Sequence, residues 1–292
     1  MKKAIVLFLL CLLFSQSYSQ FNLLEEAYKK KSKEKLNEFF IDWQKEIPSI
    51  SNVEFENLTD IEKEAYKVFG AFYNPEELQT IGSSEFGDTI YQAVKYLIVQ
   101  NSIQYRIQNR VFFTEEEKVA VYKKLRKKYG RQGPDSLKLQ NLPPSAEEWV
   151  MEELSENENI HTADTITDFR PVLFSGNKKA VYLNSLYSVG LMRFLGTRIT
   201  KSKDRLKYGY YLSDKEIDKR QTFLEQNIKV WRGHWGAYWQ LLTYPQVNII
   251  VFDKEMKYAK VFFRIVYQGG EALLKKEEGK WNIISSKLTW IE

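Results

Sequence analysis

Tyr258-AKVFFRIVYQGGEALLKKEEGKWNIISSKLTW-Ile291 alternates apolar and polar side chains with a period of two, the spacing of strands rather than helices. In Tyr258 to Gln268 one parity is apolar, with Ala259, Val261, Phe263, Ile265 and Tyr267. The other parity is mixed: Tyr258, Lys260, Phe262, Arg264, Val266 and Gln268. Such alternation suits an antiparallel sheet with one face covered and one partly wet. Ala272 to Lys276 and Trp281 to Ile291 read as further strands, with Glu278-Gly279 as the tight turn between them. Val247 to Phe252 precedes them as another strand.

Upstream of this run the pattern turns helical, and the helix starts are legible. Thr59 with Glu62, Thr114 with Glu117, Ser145 with Glu148 and Ser213 with Glu216 each read as a capping box. The first of these opens a helix carrying Ile61, Ala65, Val68, Phe69 and Phe72; the others predict helices over 115–129, 146–155 and 214–229. Leu36, Phe39, Phe40, Trp43 and Ile47 form one apolar stripe in a helix expected from Asn22 to Glu46, stopping before Pro48. Asn74-Pro75 reads as a cap followed by a proline at the first helical position. A shorter helix is expected over 185–195, closed by Gly196. Tyr96 to Gln108, Leu137 to Leu142 and Phe169 to Phe174 are the strand candidates among these helices.

The fold class that follows is α+β: a helical N-terminal portion, then a helix packed on a curved antiparallel sheet. Gly130 to Pro144 is rich in Gly and Pro and marks a boundary, giving a mainly helical region over 20–135 and an α+β region over 136–292.

Val230 to Tyr244 concentrates Trp231, Trp235, Trp239, Tyr238, Tyr244 and His234. Gly233 and Gly236 disfavour a helix interior, so a strand is expected from about His234 to Leu242. Trp235, Ala237, Trp239 and Leu241 then face one way, and His234, Gly236, Tyr238 and Gln240 the other. One reading makes these rings the core beneath the sheet. The other makes them a pocket wall stacking on an apolar or carbohydrate ligand. In that second reading His234, Trp235, Tyr238, Trp239, Arg264 and Glu271 are the candidate ligand-binding residues.

The C-terminal part also resembles the nuclear transport factor-like, or SnoaL-type, α+β cone. The resemblance rests on the helix at 214–229 followed by long strands, on GHWGAYW from Gly233 to Trp239, and on Tyr244-Pro245. Gly269-Gly270-Glu271, Gly279-Lys280-Trp281 and Thr289-Trp290-Ile291-Glu292 complete it. It implies an exported protein of the kind found in Bacteroidetes-like bacteria. Because that family includes enzymes, ligand binders and scaffolds, it implies no single activity.

Lys2 and Lys3 precede an apolar run from Ala4 to Phe14, with Ser17 and Ser19 at the spacing of a cleavage site. This is the form of a secretory signal peptide over 1–19, and the run is too short to span a bilayer. Leu9 and Leu10, just before the lone Cys11, speak against a lipid anchor. Without residues 1–19 the chain holds 273 residues, 41 basic and 38 acidic side chains, and no cysteine. A periplasmic or extracellular protein of this kind has no disulfide and relies on core burial. Its 43% hydrophobic and 28% charged content excludes collagenous and disordered classes.

The chemistry in the sequence is sparse. With two histidines, His161 and His234, and neither HExxH nor CxxC, zinc is not expected. Asp164 and Asp168, near Glu156 and Glu158, lack EF-hand spacing and read as a solvated acidic loop. Phe86 stands where a nucleophile elbow running from Gly82 through Ser83 and Ser84 would need glycine. Neither a P-loop nor GxGxxG occurs, so no cofactor is expected. Lys118 to Arg131 is basic, but Glu115 to Glu117 open the same helix, which is dipole patterning rather than a nucleic-acid stripe. The leading expectation is an exported non-catalytic ligand-binding or scaffold protein. Its alternatives are a cofactor-independent acid–base enzyme using His234 with a carboxylate such as Glu271, and a surface protein-interaction module.

Overall fold

The computed structural model describes residues 21–82, 86, 89–129, 146–156, 158, 163–173, 177–202, 205–233 and 237–291. Within them the chain is α+β, as its patterning requires. Six strands form the main sheet in the order β12 (Lys280–Ile291), β11 (Gln268–Glu277), β10 (Tyr258–Ile265), β9 (Gln246–Asp253), β2 (Ile103–Gln108) and β3 (Asp164–Ile166). All neighbours are antiparallel except β2 and β9, which run parallel. Ala259, Val261, Phe263 and Ile265 are buried as their parity predicts. Helix α4 (Asp60–Phe72) covers them, with the Phe72 and Phe263 rings 5.1 Å apart. Each such large side chain, once fully buried, contributes about 1.5–3 kcal/mol. The Thr59–Glu62 capping box that starts α4 is formed in both directions.

A second core gathers helix α1 (21–30), α2 (Lys33–Glu46), α7 (Ser185–Phe194) and α8 (Asp214–Leu224). Trp43 is its centre: its ring stacks on Tyr187 at 4.2 Å and its Nε1 donates to the Tyr182 carbonyl. Between the cores runs a parallel pair, β1 (Tyr96–Gln100) and β4 (Lys179–Leu183). Leu97, Val99 and Tyr182 enter the sheet core, while Tyr96, Ile98 and Val181 enter the helical core. A strand buried on both faces is what a continuous apolar run such as Tyr96 to Val99 requires.

Several boundaries differ from expectation, each for a local reason. The helix expected over 22–46 is two helices. Lys31 adopts φ +51, and the N–H groups of Lys31 and Ser32 donate to Tyr28 and Ala27, a Schellman ending; Ser32 then caps α2. Tyr96 to Gln108 divides at Asn101-Ser102. The buried Gln100 amide donates to Ser102 O and Val247 O and accepts from Val247 N, taking the place of a backbone ladder while the chain changes sheets. Asn74 accepts from Glu76 N in a turn, and only a 3₁₀ turn, Leu78–Ile81, follows. Residues 169–173 form no strand, because their backbone groups bind loops and a side chain: Phe169 N donates to Asn101 O, Arg170 N to Tyr66 Oη, and Ile50 N to Arg170 O. β3 lies earlier, over Asp164–Ile166. Helix α8 stops at Leu224, five residues short, and the Asn227 carbonyl beyond it accepts from Lys95 N and Tyr96 N. Tyr258 to Gln268 is interrupted at the Val266-Tyr267 turn, so Gln268 already belongs to β11.

Gly270 has a steric reason. A Cβ there would lie 2.5 Å from Lys287 O and from the Phe263 ring, beside the bulge that shifts the β11–β12 register. Leu137 to Leu142, Ser145 and the boundary expected near 135 lie outside the described residues. On either side of them the chain shares sheets and cores, through β1 with β4 and β2 with β9.

α5 (Glu115–Tyr129) and α6 (Ala146–Glu156) pair with each other, and α5 carries acids in its first turn and bases in its last. Among the described residues, no helix is long and apolar enough to cross a membrane.

Candidate functional site

Of the strand expected over His234 to Leu242, residues 234–236 lie outside the described residues, and the described remainder holds β8 (Trp239–Gln240), paired with β7 (Trp231–Arg232). Ala237 takes φ +59, and its carbonyl accepts from Thr197 Oγ1, which draws the chain away from sheet geometry. Beyond β8, the Thr243 N–H donates to Ile98 O while its hydroxyl accepts from Ile98 N, tying this segment to β1. The alternation of side chains nevertheless holds where it is described. Trp239 is 1% exposed and belongs to the helical core; Tyr238 is 49% exposed and points the other way.

These two residues stand at a recess of about 250 Å³, whose polar lining includes Ser188, Gln240, Tyr244, Gln246, Asn248 and Arg264. Three neighbouring pieces of chain, around β8, β9 and β10, supply most of it, and Leu183 and Ser188 complete it. β8 gives Gln240, whose Oε1 accepts from the Tyr244 hydroxyl. β9 gives the exposed Asn248, which sits at a bulge where Phe262 faces Ile249 but Phe263 faces Val247. A bulge turns its extra residue out of the ladder, here toward the recess. β10 gives Arg264 on its polar parity, paired across the sheet with Gln246. Arg264 Nε donates to Val266 O at 2.6 Å, spanning a turn in which Val266, a β-branched residue, takes φ +52. That conformation is strained, and the guanidinium contact helps to hold it. Tyr238 leans edge-on to Tyr208, with centroids 6.2 Å apart. Trp239 Nε1 is buried with no hydrogen-bond partner.

Of the six residues proposed from sequence, Tyr238, Trp239 and Arg264 therefore meet at one recess. His234 and Trp235 lie outside the described residues. Glu271 is elsewhere: it faces a separate cleft, 3.5 Å from Lys260 Nζ and 3.7 Å from Lys287 Nζ. Tyr244 and Gln240 were read in sequence only as part of the aromatic stretch and of the Tyr238 face, not as binding residues, and Gln246 and Asn248 were not singled out. The polar Asn248 inside the apolar run Val247 to Phe252 was the available signal.

Other readings resolve as structural. Asp164 accepts from the Tyr105 hydroxyl, Asp168 pairs with Arg170 at 3.0 Å, and Glu158 with Arg110 at 3.2 Å. Among the described residues, no group of three acidic, His or Cys side chains is placed to hold a metal. His161 and Ser83 to Glu85 lie outside them. A larger apolar recess of about 530 Å³ adjoins Phe21, Val189 and Phe194, where the described chain begins.

No family model, curated protein or solved structure matches this chain.

Proposed function

We propose that this is an exported, non-catalytic binding protein whose recess at Tyr238, Trp239 and Arg264 takes a small carbohydrate. The observation that carries the reading is the half-exposed Tyr238 ring beside planar polar side chains, Gln240, Asn248 and Arg264. A sugar offers an apolar ring face for stacking and a rim of hydroxyls for amide and guanidinium groups, so both halves of the lining have work. The polar rim favours a sugar over a purely apolar ligand. Export rests on the residue pattern of 1–19, and the cone-like reading of the C-terminal part on the helix-then-meander order.

The test is titration with glucose, galactose, mannose and N-acetylglucosamine, followed by tryptophan fluorescence and calorimetry. Saturable binding of one of them is expected. Tyr238→Ala and Arg264→Ala each weaken it by about tenfold, or 1.4 kcal/mol. If none of the four sugars gives a saturable signal, the carbohydrate assignment fails.

A further inference from the structure

The end of α1, the start of α2 and one side of α8 enclose an open recess of about 1030 Å³. Its cations come from both walls. Lys29 near the end of α1, Lys31 in the left-handed turn and Lys33 as the first residue of α2 supply one. Lys215 and Lys219, on α8, supply the other. Tyr28 and Phe223 meet beneath them edge-on, with ring centroids 5.4 Å apart, and Thr222 and Gln226 add a hydroxyl and an amide.

Three observations set this recess apart. All five lysines are exposed, and among the described residues none forms an ion pair. The neighbouring carboxylates are bound by other cations: Glu26 by Lys30 and Lys35, Glu25 and Glu216 by Arg220, and Glu225 by Lys229. The Tyr28 hydroxyl also donates to Glu216 and, with Arg220, holds it below the ordinary carboxylate range. Second, five lysines and two carboxylates, Glu216 and Asp218, line the recess, an excess of three positive charges. Residues 20–292 hold 41 basic and 38 acidic side chains, the same excess for the whole chain, so the remaining surface balances in sum. Third, the placement has a local cost. Lys33 and Lys215 stand in the first turns of their helices, where the dipole disfavours cations, and Lys215 and Lys219 are like charges one turn apart. Helix α5, by contrast, keeps Arg126, Lys127 and Lys128 for its last turn. A local rule broken without local return is expected where a surface serves a partner. A recess walled by one sign of charge also focuses the field and gathers anions.

We propose that this recess is a docking groove for a linear acidic polysaccharide, whose anionic groups pair with the lysines of both walls while its hydroxyls meet Thr222 and Gln226. The surroundings favour this polyanion over others. The Tyr28 ring is flanked by Phe194 and Phe223 and has the Arg220 guanidinium 4.9 Å over it, and Phe223 is buried, so neither ring is open to stack on a nucleobase. No exposed large apolar side chain lines the recess to enter a bilayer. Five ammonium groups on flexible stems match charges spaced along a sugar chain. The groove shares no lining residue with the recess at Tyr238, so the two assignments stand independently.

The experiment is calorimetric titration of the full chain with a size-fractionated heparin oligosaccharide at physiological ionic strength. Neutral dextran, an oligothymidylate of equal charge, and vesicles of phosphatidylcholine with phosphatidylglycerol are the comparisons. Saturable heparin binding is expected, weakening as salt rises, with no dextran binding and at least roughly tenfold weaker binding of the other two anions. Lys33→Gln and Lys219→Gln, one from each wall, should each weaken heparin binding roughly threefold, the size of an exposed ion pair. Lys254→Gln with Lys280→Gln removes two exposed lysines elsewhere and should leave it unchanged. In the wild type, which needs no variant to fold, heparin should protect Lys29, Lys31, Lys33, Lys215 and Lys219 from acetylation. Failure of heparin to bind saturably overturns the proposal, as does equal affinity for the oligothymidylate or the vesicles. An equal loss from the Lys254 and Lys280 changes, or protection centred on other lysines, overturns it too, since net charge or another face is then responsible.

Discussion

The sheet core closes around β9 to β12, strands that follow one another directly along the chain, whereas the helical core collects Leu24, Phe40 and Trp43 from its front with Tyr187, Leu224 and Trp239 from far downstream. The β9–β12 meander of the first is held by hairpins whose partners are near in sequence, so its register follows from turn and alternation, while its cover, α4 with β2, comes from far upstream. The second requires long loops to close before its contacts exist. The difference teaches where this chain is robust and where a single residue carries a long-range junction. β1 and β4 belong to both, because their alternate side chains enter opposite cores.

The largest effect is expected at that junction. Trp43→Ala removes a fully buried ring stacked on Tyr187 and one of the two hydrogen bonds to the Tyr182 carbonyl, which keeps the one from Asn184 N, so it should cost about 3–5 kcal/mol in denaturant unfolding. Because β1 and β4 couple the cores, far-ultraviolet circular dichroism and tryptophan fluorescence should report one coincident transition for this variant and for the wild type. Two separated transitions would break the comparison and show the cores to be independent.

Trp281→Ala tests the sheet core. Trp281 is buried beside Phe252, and its Nε1 donates to Glu64 at 2.7 Å, the carboxylate that also pairs with Lys276. A loss of about 3 kcal/mol is expected, at the lower end of the range because the ring sits at the start of an edge strand. A melting temperature equal to wild type would mean that this strand does not close the core.

Gly190→Ala is smaller and more local. A Cβ at Gly190 would fall 1.8 Å from the Phe21 ring, so α1 must shift on α7, at a cost of about 1–3 kcal/mol. Adding Phe21→Ala should recover part of that loss. If the double variant is simply the sum of the two, the Phe21 seat on Gly190 is not the cause.

The smallest effect concerns pH. The Ser51 backbone N–H, then its hydroxyl, then Arg170 hold the Glu54 carboxyl down at about 2 from an ordinary 4.5. A carboxylate depressed by folding stabilises above its unfolded pKa. This contribution is therefore present above 4.5 and is lost as the pH falls from about 4.5 to about 2. Titration followed by NMR should find Glu54 below its ordinary value, and Arg170→Met should raise it only in part, since both Ser51 contacts remain. An ordinary Glu54 pKa in the wild type would mean the capping box at α3 (Asn52–Glu56) does not hold in solution.

For the candidate recess, parity alone separated Trp239 from Tyr238, because adjacent side chains in extended backbone point to opposite sides. Arg264 was legible as a polar residue on the mixed parity of β10. Glu271 was grouped with them as a polar partner and as a carboxylate for His234, yet its register opposite Lys287 places it over the neighbouring cleft. Asn248 depends on a bulge between β9 and β10, and a bulge is a property of two strands in contact, not of either alone.

Alternation, turn chemistry and capping residues are local, so the amino-acid sequence by itself determined the β9–β12 meander, the Glu278-Gly279 turn and the starts of α4, α5, α7 and α8. The parallel pairings β1–β4 and β2–β9, the Gln100 amide that lets the chain change sheets, and the end of α8 were decided by tertiary structure. Parallel strands have no hairpin to set their register, and the chain leaving α8 is held by a distant segment, where Lys95 N and Tyr96 N donate to the Asn227 carbonyl three residues beyond the helix end. Such partners exist only once the chain has folded.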